Sequence, residues 1–566
     1  MKPTDKPFTA PVLYGWPLVA AAYAVEYLPF VSYKLAKDAK LLSLREHTEI
    51  QGKATSLAIP ESYILSIAAS NHLAQRDSNI EWPRLESDTK SQSLFLSFWD
   101  YHQAYLEHRT TPSEIAETVI ETLANYEQYH FIRHMVNKDI ILEQAAASTR
   151  RYKEGTPKSQ LDGIFIPVKE ELDVIGLETK AGTSFLNDGH PAKTNATVVQ
   201  RLVDAGAIIV GHSVMNELGW DTFTVNPTTG VPSNPYESTS SCGGSSGGSA
   251  GAVAANLFPI AIGCDGGGSV RIPAAFCGLY GLKTTIGRTS AAGGMPLDCS
   301  LAVSGPISGT ADSLSLTYAI MSGVDEKDPL TKFQPPVSLK DYTLTHTLEG
   351  LTIGVMPSWN EKVDDPAALR QMDVYINYFK SLGAQVIEID IPDLELAATA
   401  HLVTICSEMY DFASRYQDQR RSFSAYTRIM SVISQNLDAR DYVRAQQVRG
   451  LMMNHLQRIF DDDNVDLILT PTTAIQAPCI PKRAHSYGLS NATWTTKSME
   501  YTTLANLTGI PAVTIPSGFH NGKPLAIQLM ATWFNEALLC RMAKVCELAP
   551  GIERKRPDIW FAGPYL

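Results

Sequence analysis

The sequence predicts an α/β protein built around a mixed sheet, and three observations carry that expectation. Short apolar strands, such as residues 207–210 (AIIV), 351–355 (LTIGV) and 465–469 (VDLIL), alternate with segments of helical periodicity along the chain. Two helices have legible starts and stops. Thr111-Pro112-Ser113-Glu114 has the form of a capping box with proline at the first helical position, and Ile115, Val119 and Leu123 then mark one apolar face. Asp365 caps a second helix that Pro366 opens, Leu369, Met372, Ile376 and Phe379 line, and Gly383 closes before a strand over 386–389. Finally, 566 residues with 44% hydrophobic content are ample for one large core or several smaller ones.

From the N-terminus, residues 11–33 form an apolar run whose length approaches a membrane span, but Glu26 lies inside it and Pro17 and Pro29 interrupt it. A signal peptide would end in small residues, whereas this run ends in Leu28, Pro29 and Phe30. Trp16, Val19, Ala20, Tyr23, Tyr27 and Phe30 recur at steps of one, three or four, and Lys34, Lys37, Lys40 and Arg45 follow. Two readings of this helix stand: it lies in a membrane interface, giving peripheral contact through residues 11–45, or it docks on the main core. Residues 46–95 are polar, mixed in charge and aperiodic, so they read as a connecting segment.

Charge and cysteine usage exclude whole classes. A net charge of -12 with no basic stripe argues against nucleic acid as a partner. The eight cysteines show no C-x-x-C pair and no histidine at zinc-ligand spacing, so no metal site is expected. Free thiols place the chain in a reducing compartment: intracellular, either cytosolic or peripheral on internal membranes.

The segment TSSCGGSSGGSAG, residues 239–251, has a linker's composition, but the apolar AVAANLFPIAIG follows it at once. A second glycine run, CDGGGS, then sits within hydrophobic sequence. Two glycine runs inside an apolar framework suggest backbone brought close to a ligand, with N–H groups aimed at an anion. The spacing of a phosphate loop does not occur, and no strand precedes the first run as a dinucleotide fingerprint requires. Gly247-Gly248-Ser249-Ala250-Gly251 matches a nucleophile elbow by letter only. Glycine and serine precede it, and His190 and His212, the nearby histidines, lie in no recognisable catalytic context.

The stretch GGSSGGSAGAVAANLFPIAIGCDGGGSVRIPAAFCGLYGLKTTIGRT resembles the amidase signature, and LDGIFIPVKEELDVIGLETKAGTSF resembles the lysine-bearing segment that precedes it in that family. The resemblance runs from about residue 95 to the C-terminus and takes in VDLILTPTT, NLTGIPAVTIPSG and GKPLAIQLM. It implies a single large domain over 96–566, with a mixed central sheet covered by helices on both faces, plus an N-terminal helical extension over 1–95. By position, Lys169 matches the catalytic lysine, Ser245 the bridging serine on a cis peptide, and Ser269 the nucleophile. Gly266, Gly267, Gly268 and Ser269 match the oxyanion hole, with Ser246, Asp265 and Arg271 as supports, and no metal or cofactor is implied. For Arg271 a surface ion pair is the competing reading. Cys264 stands where threonine is usual and Glu170 where aspartate is usual.

These roles are physically coherent. A serine hydroxyl needs a base within hydrogen-bond reach, and burial, which disfavours a charged lysine, makes that side chain able to accept a proton. Within the family, the wording DGGGSVRIP, STRRYKEGTP and ATAHLVTI is most similar to plant-type fatty acid amide hydrolases. That branch implies hydrolysis of N-acylethanolamines and related fatty amides, a small-molecule lipid amide as partner, and Gly219, Trp220 and Thr222 in the acyl pocket. Plain core is the other reading of Trp220. The alternatives are a general amidase for short aliphatic or aryl amides and the amide-cleaving subunit of the amidotransferase that works on glutaminyl tRNA. A homodimer is compatible with each.

Overall fold

The computed structural model describes residues 10–47, 50, 52–69, 82–86 and 93–562. Eleven strands form its main sheet: β1 (Ile132–Met135), β2 (Phe165–Lys169), β3 (Ile208–Ser213), β4 (Ile260–Asp265), β5 (Tyr280–Lys283), β6 (Val303–Ser308), β7 (Thr352–Val355), β8 (Gln385–Glu388), β9 (Leu467–Pro471), β10 (Ala512–His520) and β11 (Lys523–Ala531). Their order across the sheet is β1-β3-β2-β4-β6-β5-β10-β11-β9-β7-β8, with parallel pairs at β2–β3, β2–β4, β7–β9 and β7–β8 and antiparallel pairs elsewhere. The expected mixed sheet is therefore present, and β3, β7 and β9 are the strands anticipated at 207–210, 351–355 and 465–469. Each begins one or two residues later than the apolar run.

Both faces of the sheet are covered. Along β9, Leu467 and Leu469 enter one hydrophobic core while Ile468 enters another, as the two-residue period of a strand requires. Near-continuous apolar runs follow from that double burial. The helix Pro112–Asn125 begins at the expected capping box, with Glu114 N–H donating to Thr111 Oγ1 at 3.2 Å and Thr111 N–H to Glu114 Oε2 at 2.9 Å. The second legible helix spans Ala367–Ser381. Pro366 takes its cap position, and Asp365 still serves the end by accepting from Ala367 N–H at 2.8 Å.

The N-terminal run forms two helices, Trp16–Tyr27 and Pro29–Asp38, broken at Pro29. Leu18, Ala22 and Val25 are buried on the body of the protein, whereas Trp16, Tyr23, Tyr27, Phe30 and Tyr33 are exposed. The aromatic residues lie at the edge of that docked face: Tyr23 and Tyr27 still reach Arg428 and Arg421 of the body and Trp16 packs against Tyr487, with much of each ring exposed. Glu26, which spoils the run as a membrane span, is explained by that docking: its carboxylate accepts from Arg428 at 2.8 and 2.5 Å and pairs with Arg420 at 3.3 Å. Among the described residues no helix is long and apolar enough to cross a membrane.

The connecting segment lies partly outside the described residues. Where described, it is bound to the body: a Cβ built on Gly52 would fall 1.8 Å from the Gln447 carbonyl oxygen, and Trp533 Nε1 donates to Ala58 O at 2.9 Å. Removing one partner of a buried ion pair strands the other, typically at a cost of about 3–5 kcal/mol. Glu26→Ala is therefore expected to lower unfolding free energy by about 3 kcal/mol, measured by urea denaturation. An unchanged midpoint would show that the hairpin is not part of the cooperative unit.

Candidate active site

The parallel neighbours β2 and β4, with Val168 opposite Ile262, end side by side, so Lys169 and Asp265 emerge at the same edge of the sheet. Carboxyl ends of parallel strands are where open α/β sheets bind ligands. Lys169 is 1% exposed. Its Nζ donates to Ser245 Oγ at 2.8 Å and to the Cys264 carbonyl oxygen at 3.3 Å, and it pairs with Glu171 Oε1 at 3.1 Å.

Ser245 follows a cis peptide from Gly244 and is itself buried. The first glycine run is dense because backbone packs on it from two sides. A Cβ on Gly244 would lie 2.7 Å from Phe223 N, and one on Gly248 would lie 2.5 Å from Val214 N. Beyond Ser245, the helix Gly247–Ala254 lies against β4, where Ser249 Oγ donates to Ile262 O at 3.1 Å and Ser246 Oγ to Cys264 O at 3.4 Å.

The second run is fixed by one ion pair. Arg271, fully buried rather than on the surface, donates from Nε and Nη2 to the two Asp265 oxygens at 3.0 and 2.9 Å, from Nη1 to Thr502 O and Gln528 Oε1, and from Nη2 also to Asn506 Oδ1. All five guanidinium donors are used. Burial alone would raise the Asp265 carboxyl, but Arg271, with Lys283 and Asn506, holds it well below the usual carboxylate range.

This carboxylate and its neighbours orient each peptide of the loop. The carbonyl of Asp265 accepts from Asn506 Nδ2 at 2.9 Å, that of Gly266 from His401 Nε2 at 2.7 Å, that of Gly267 from Thr502 Oγ1 at 2.8 Å, and that of Gly268 from Ile272 N–H at 2.7 Å. In a trans peptide N–H and C=O point in opposite directions, so the following N–H groups are aimed as well. One expectation needs correction. Gly268 N–H is not available to a ligand, because it donates to Asp265 Oδ1 at 2.7 Å. Gly266, Gly267 and Ser269 remain as candidate donors.

Lys169, Ser245, Gly266, Gly267 and Ser269 line one cavity of about 680 Å³, counting the open space at its mouth. Gly219, Trp220 and Thr222 line it too. Gly219, at φ 74°, leaves room beside Ser245, since a Cβ there would stand 3.3 Å from the serine Oγ. Leu218, Leu402, Ile405, Met409 and Met430 make much of the remaining wall apolar. Lys169 and Ser245 are buried in the floor, while Ser269 is partly exposed to the cavity.

Several groups escaped the sequence reading. His401, Thr502, Asn506 and Gln528 come from distant segments, and although ATAHLVTI, NLTGIPAVTIPSG and GKPLAIQLM hold three of them, nothing in those stretches ties them to the glycine loop. Asp298 lines the cavity beside Gly266, where a Cβ would fall 1.6 Å from its Oδ2. Burial, then the charges of Glu171 and Glu408, push its carboxyl up to about 8. Glu171 sits at the third position of the turn Lys169–Leu172, which returns its carboxylate to Lys169 Nζ and sends that of its neighbour elsewhere. Glu170 accordingly leaves Lys169 and accepts from Gly182 N–H at 2.9 Å, and burial pushes its carboxyl up to about 7.

Fold and site together define an amide hydrolase of the serine type. The sequence profile of the Amidase family matches residues 114–540, well over half of the chain, and the chain belongs to that family. Fatty acid amide hydrolase of Arabidopsis thaliana is 34% identical over 490 residues, covering 84% of this chain and 80% of that protein. The glutamyl-tRNA(Gln) amidotransferase A-type subunit from Chloroflexus aggregans is 30% identical over 485 residues, covering 81% and 97%. Among solved structures, one of a vestigial protein complex bearing on the origins of an s-triazine catabolic enzyme aligns with TM-score 0.74 and 28% identity over 81% of this chain and 99% of that one. A peptide amidase bound to chymostatin aligns with TM-score 0.69 at 24% identity over 81% and 98%, and shares the fold.

Arg271→Lys keeps the charge but offers three donors in place of five, leaving buried acceptors unpaired at about 1–3 kcal/mol each. The expected outcome is a loss of about 3 kcal/mol in stability together with loss of amidase turnover. Full turnover in a stably folded Arg271→Lys protein would show that the loop does not depend on this fork.

Proposed function

We propose that this protein hydrolyses fatty acid amides, N-acylethanolamines among them, to free fatty acid and amine through an acyl-enzyme on Ser269. The observation that carries the reading is the 2.8 Å contact between Lys169 Nζ and Ser245 Oγ in the floor of a largely apolar cavity that Ser269 faces. Ser269 Oγ attacks the carbonyl carbon, its proton passes to Ser245, and the Ser245 proton passes to Lys169. N–H groups of Gly266, Gly267 and Ser269 stabilise the oxyanion. The same route, reversed, protonates the departing nitrogen as the C–N bond breaks, and water then releases the acid from Ser269. The names of the plant relatives and the apolar wall support a long acyl chain over a short one.

The exposed stripe Trp16, Tyr23, Tyr27, Phe30 and Tyr33, followed by Lys34, Lys37 and Lys40, supports peripheral membrane contact by the 1–95 extension. The helix Ala425–Ser434 supports a route from that surface to the site. Its Arg428 pairs with Glu26 of the hairpin, and its Tyr426 and Met430 line the cavity.

Two measurements test these readings. Ser269→Ala is expected to lower turnover of oleoyl ethanolamide by about 10³-fold or more and to abolish labelling by a fluorophosphonate. Retained turnover sinks the assignment, and acetamide turned over faster than oleoyl ethanolamide favours a general amidase. Replacing both Trp16 and Phe30 by alanine is expected to weaken co-sedimentation with phosphatidylserine-containing vesicles about tenfold or more while leaving turnover of a soluble amide unchanged. Equal sedimentation would remove the membrane role.

A further inference from the structure

The geometry points to Glu171 as the positioning residue that balances the charge of Lys169 during proton transfer, in the role a carboxylate plays toward the imidazolium of a serine–histidine pair. The inference rests on the reading of Lys169 as base. Three acceptors surround Lys169 Nζ: Ser245 Oγ at 2.8 Å, Glu171 Oε1 at 3.1 Å and Cys264 O at 3.3 Å. A neutral amine in that setting donates its two hydrogens to the carboxylate and the carbonyl, which turns its lone pair toward Ser245. After accepting the Ser245 proton, the ammonium donates to all three. The proton therefore moves without any other bond being lost.

The turn after β2 holds the carboxylate in place. Leu172 N–H donates to Lys169 O at 3.0 Å, Met295 N–H donates to Glu171 O at 2.8 Å, and Leu172 forms a β-bridge with Gly294. Glu171 is 7% exposed, so its attraction for Lys169 is little screened. Asp298 from the 295–302 segment and the Cys264 thiol from β4 face the pair, and Asp298 in turn feels Asp265 from β4 and Glu408 from the helix Leu394–Ser414. Asp265 is committed to Arg271, and Glu408 accepts from Ser300 N–H and the Tyr442 hydroxyl. Burial pushes the Cys264 thiol well up, and Asp298 is held up to about 8. Glu171, whose Oε1 lies 3.1 Å from Nζ, is the carboxylate placed to balance the lysine.

The consequence is a pH profile. A carboxylate at 3.1 Å attracts the ammonium, and unit charges that close still attract strongly at an effective dielectric of about 20. Glu171→Gln removes that attraction, and the acidic limb of kcat/KM for a soluble fluorogenic acyl anilide is expected to move down by at least about one pH unit. Glu171→Asp retains the charge and keeps the limb closer to wild type. The limb's midpoint does not depend on the folded fraction, so partial misfolding does not mask the shift. An unmoved limb in Glu171→Gln, with Lys169→Ala inactive, overturns this inference alone. Wild-type turnover in Lys169→Ala overturns the triad reading and the inference with it.

Discussion

The ion pair between Asp265 and Arg271 is the constraint on which the site depends. Both side chains are fully buried, and desolvating two charges costs several kcal/mol each before any attraction is counted. Such a pair adds little net stability over apolar packing of the same volume. What it adds here is direction. The guanidinium fork reaches Asp265, Thr502 and Asn506 at the cap and inside of the helix Thr503–Thr508, and Gln528 on β11, which joins the strand β4, the glycine loop and the far part of the sheet in one network. The carboxylate also receives the N–H groups of Gly268, Val270 and Arg271, so the chain must turn around it. Charge-assisted bonds are stronger than neutral ones, so the loop is held firmly around the carboxylate.

The glycines serve that geometry in two different ways. In the first run they let three backbone segments meet where a methyl group would collide, which brings Ser245 within reach of Lys169. In the second they leave space for other side chains. Asp298 occupies the position of a Cβ on Gly266, and Met499 and His401 crowd that of Gly267. Gly268 alone of those three has a positive φ, 116°, which turns its N–H inward to Asp265. Consecutive N–H groups therefore face different ways, and a run of three glycines supplies fewer ligand donors than it has residues.

This explains what the sequence made legible. Lys169, Ser245 and Ser269 could be located because they sit in local patterns of fixed spacing, and the strands and capped helices because periodicity and end signals are local too. His401, Thr502, Asn506 and Gln528 reach the loop through side chains from helices and strands more than 130 residues away in the chain, and no spacing rule connects them. The Gly268 error has the same origin, since the direction of an N–H depends on a partner that tertiary structure supplies. The N-terminal helix was ambiguous for another reason. Its docked face (Leu18, Ala22, Val25) and its exposed aromatic face are both apolar, so amphipathicity could not say which one meets the body.

Glu26 then decides how the hairpin is held. A carboxylate in an apolar helix is unfavourable against either lipid or core unless paired, and its partners Arg420 and Arg428 both belong to the body. The guanidinium of Arg428 also lies 4.7 Å from the centre of the Tyr23 ring, adding a cation–π contact on the same side. Electrostatics thus fixes which way the hairpin faces where hydrophobicity alone could not, and the exposed stripe is the face that remains. Because Arg428 shares its helix with Tyr426 and Met430, the hairpin's orientation and the shape of the cavity wall depend on the same ten residues. Rotation of that helix about its axis would move Arg428 and the cavity-lining Tyr426 and Met430 together.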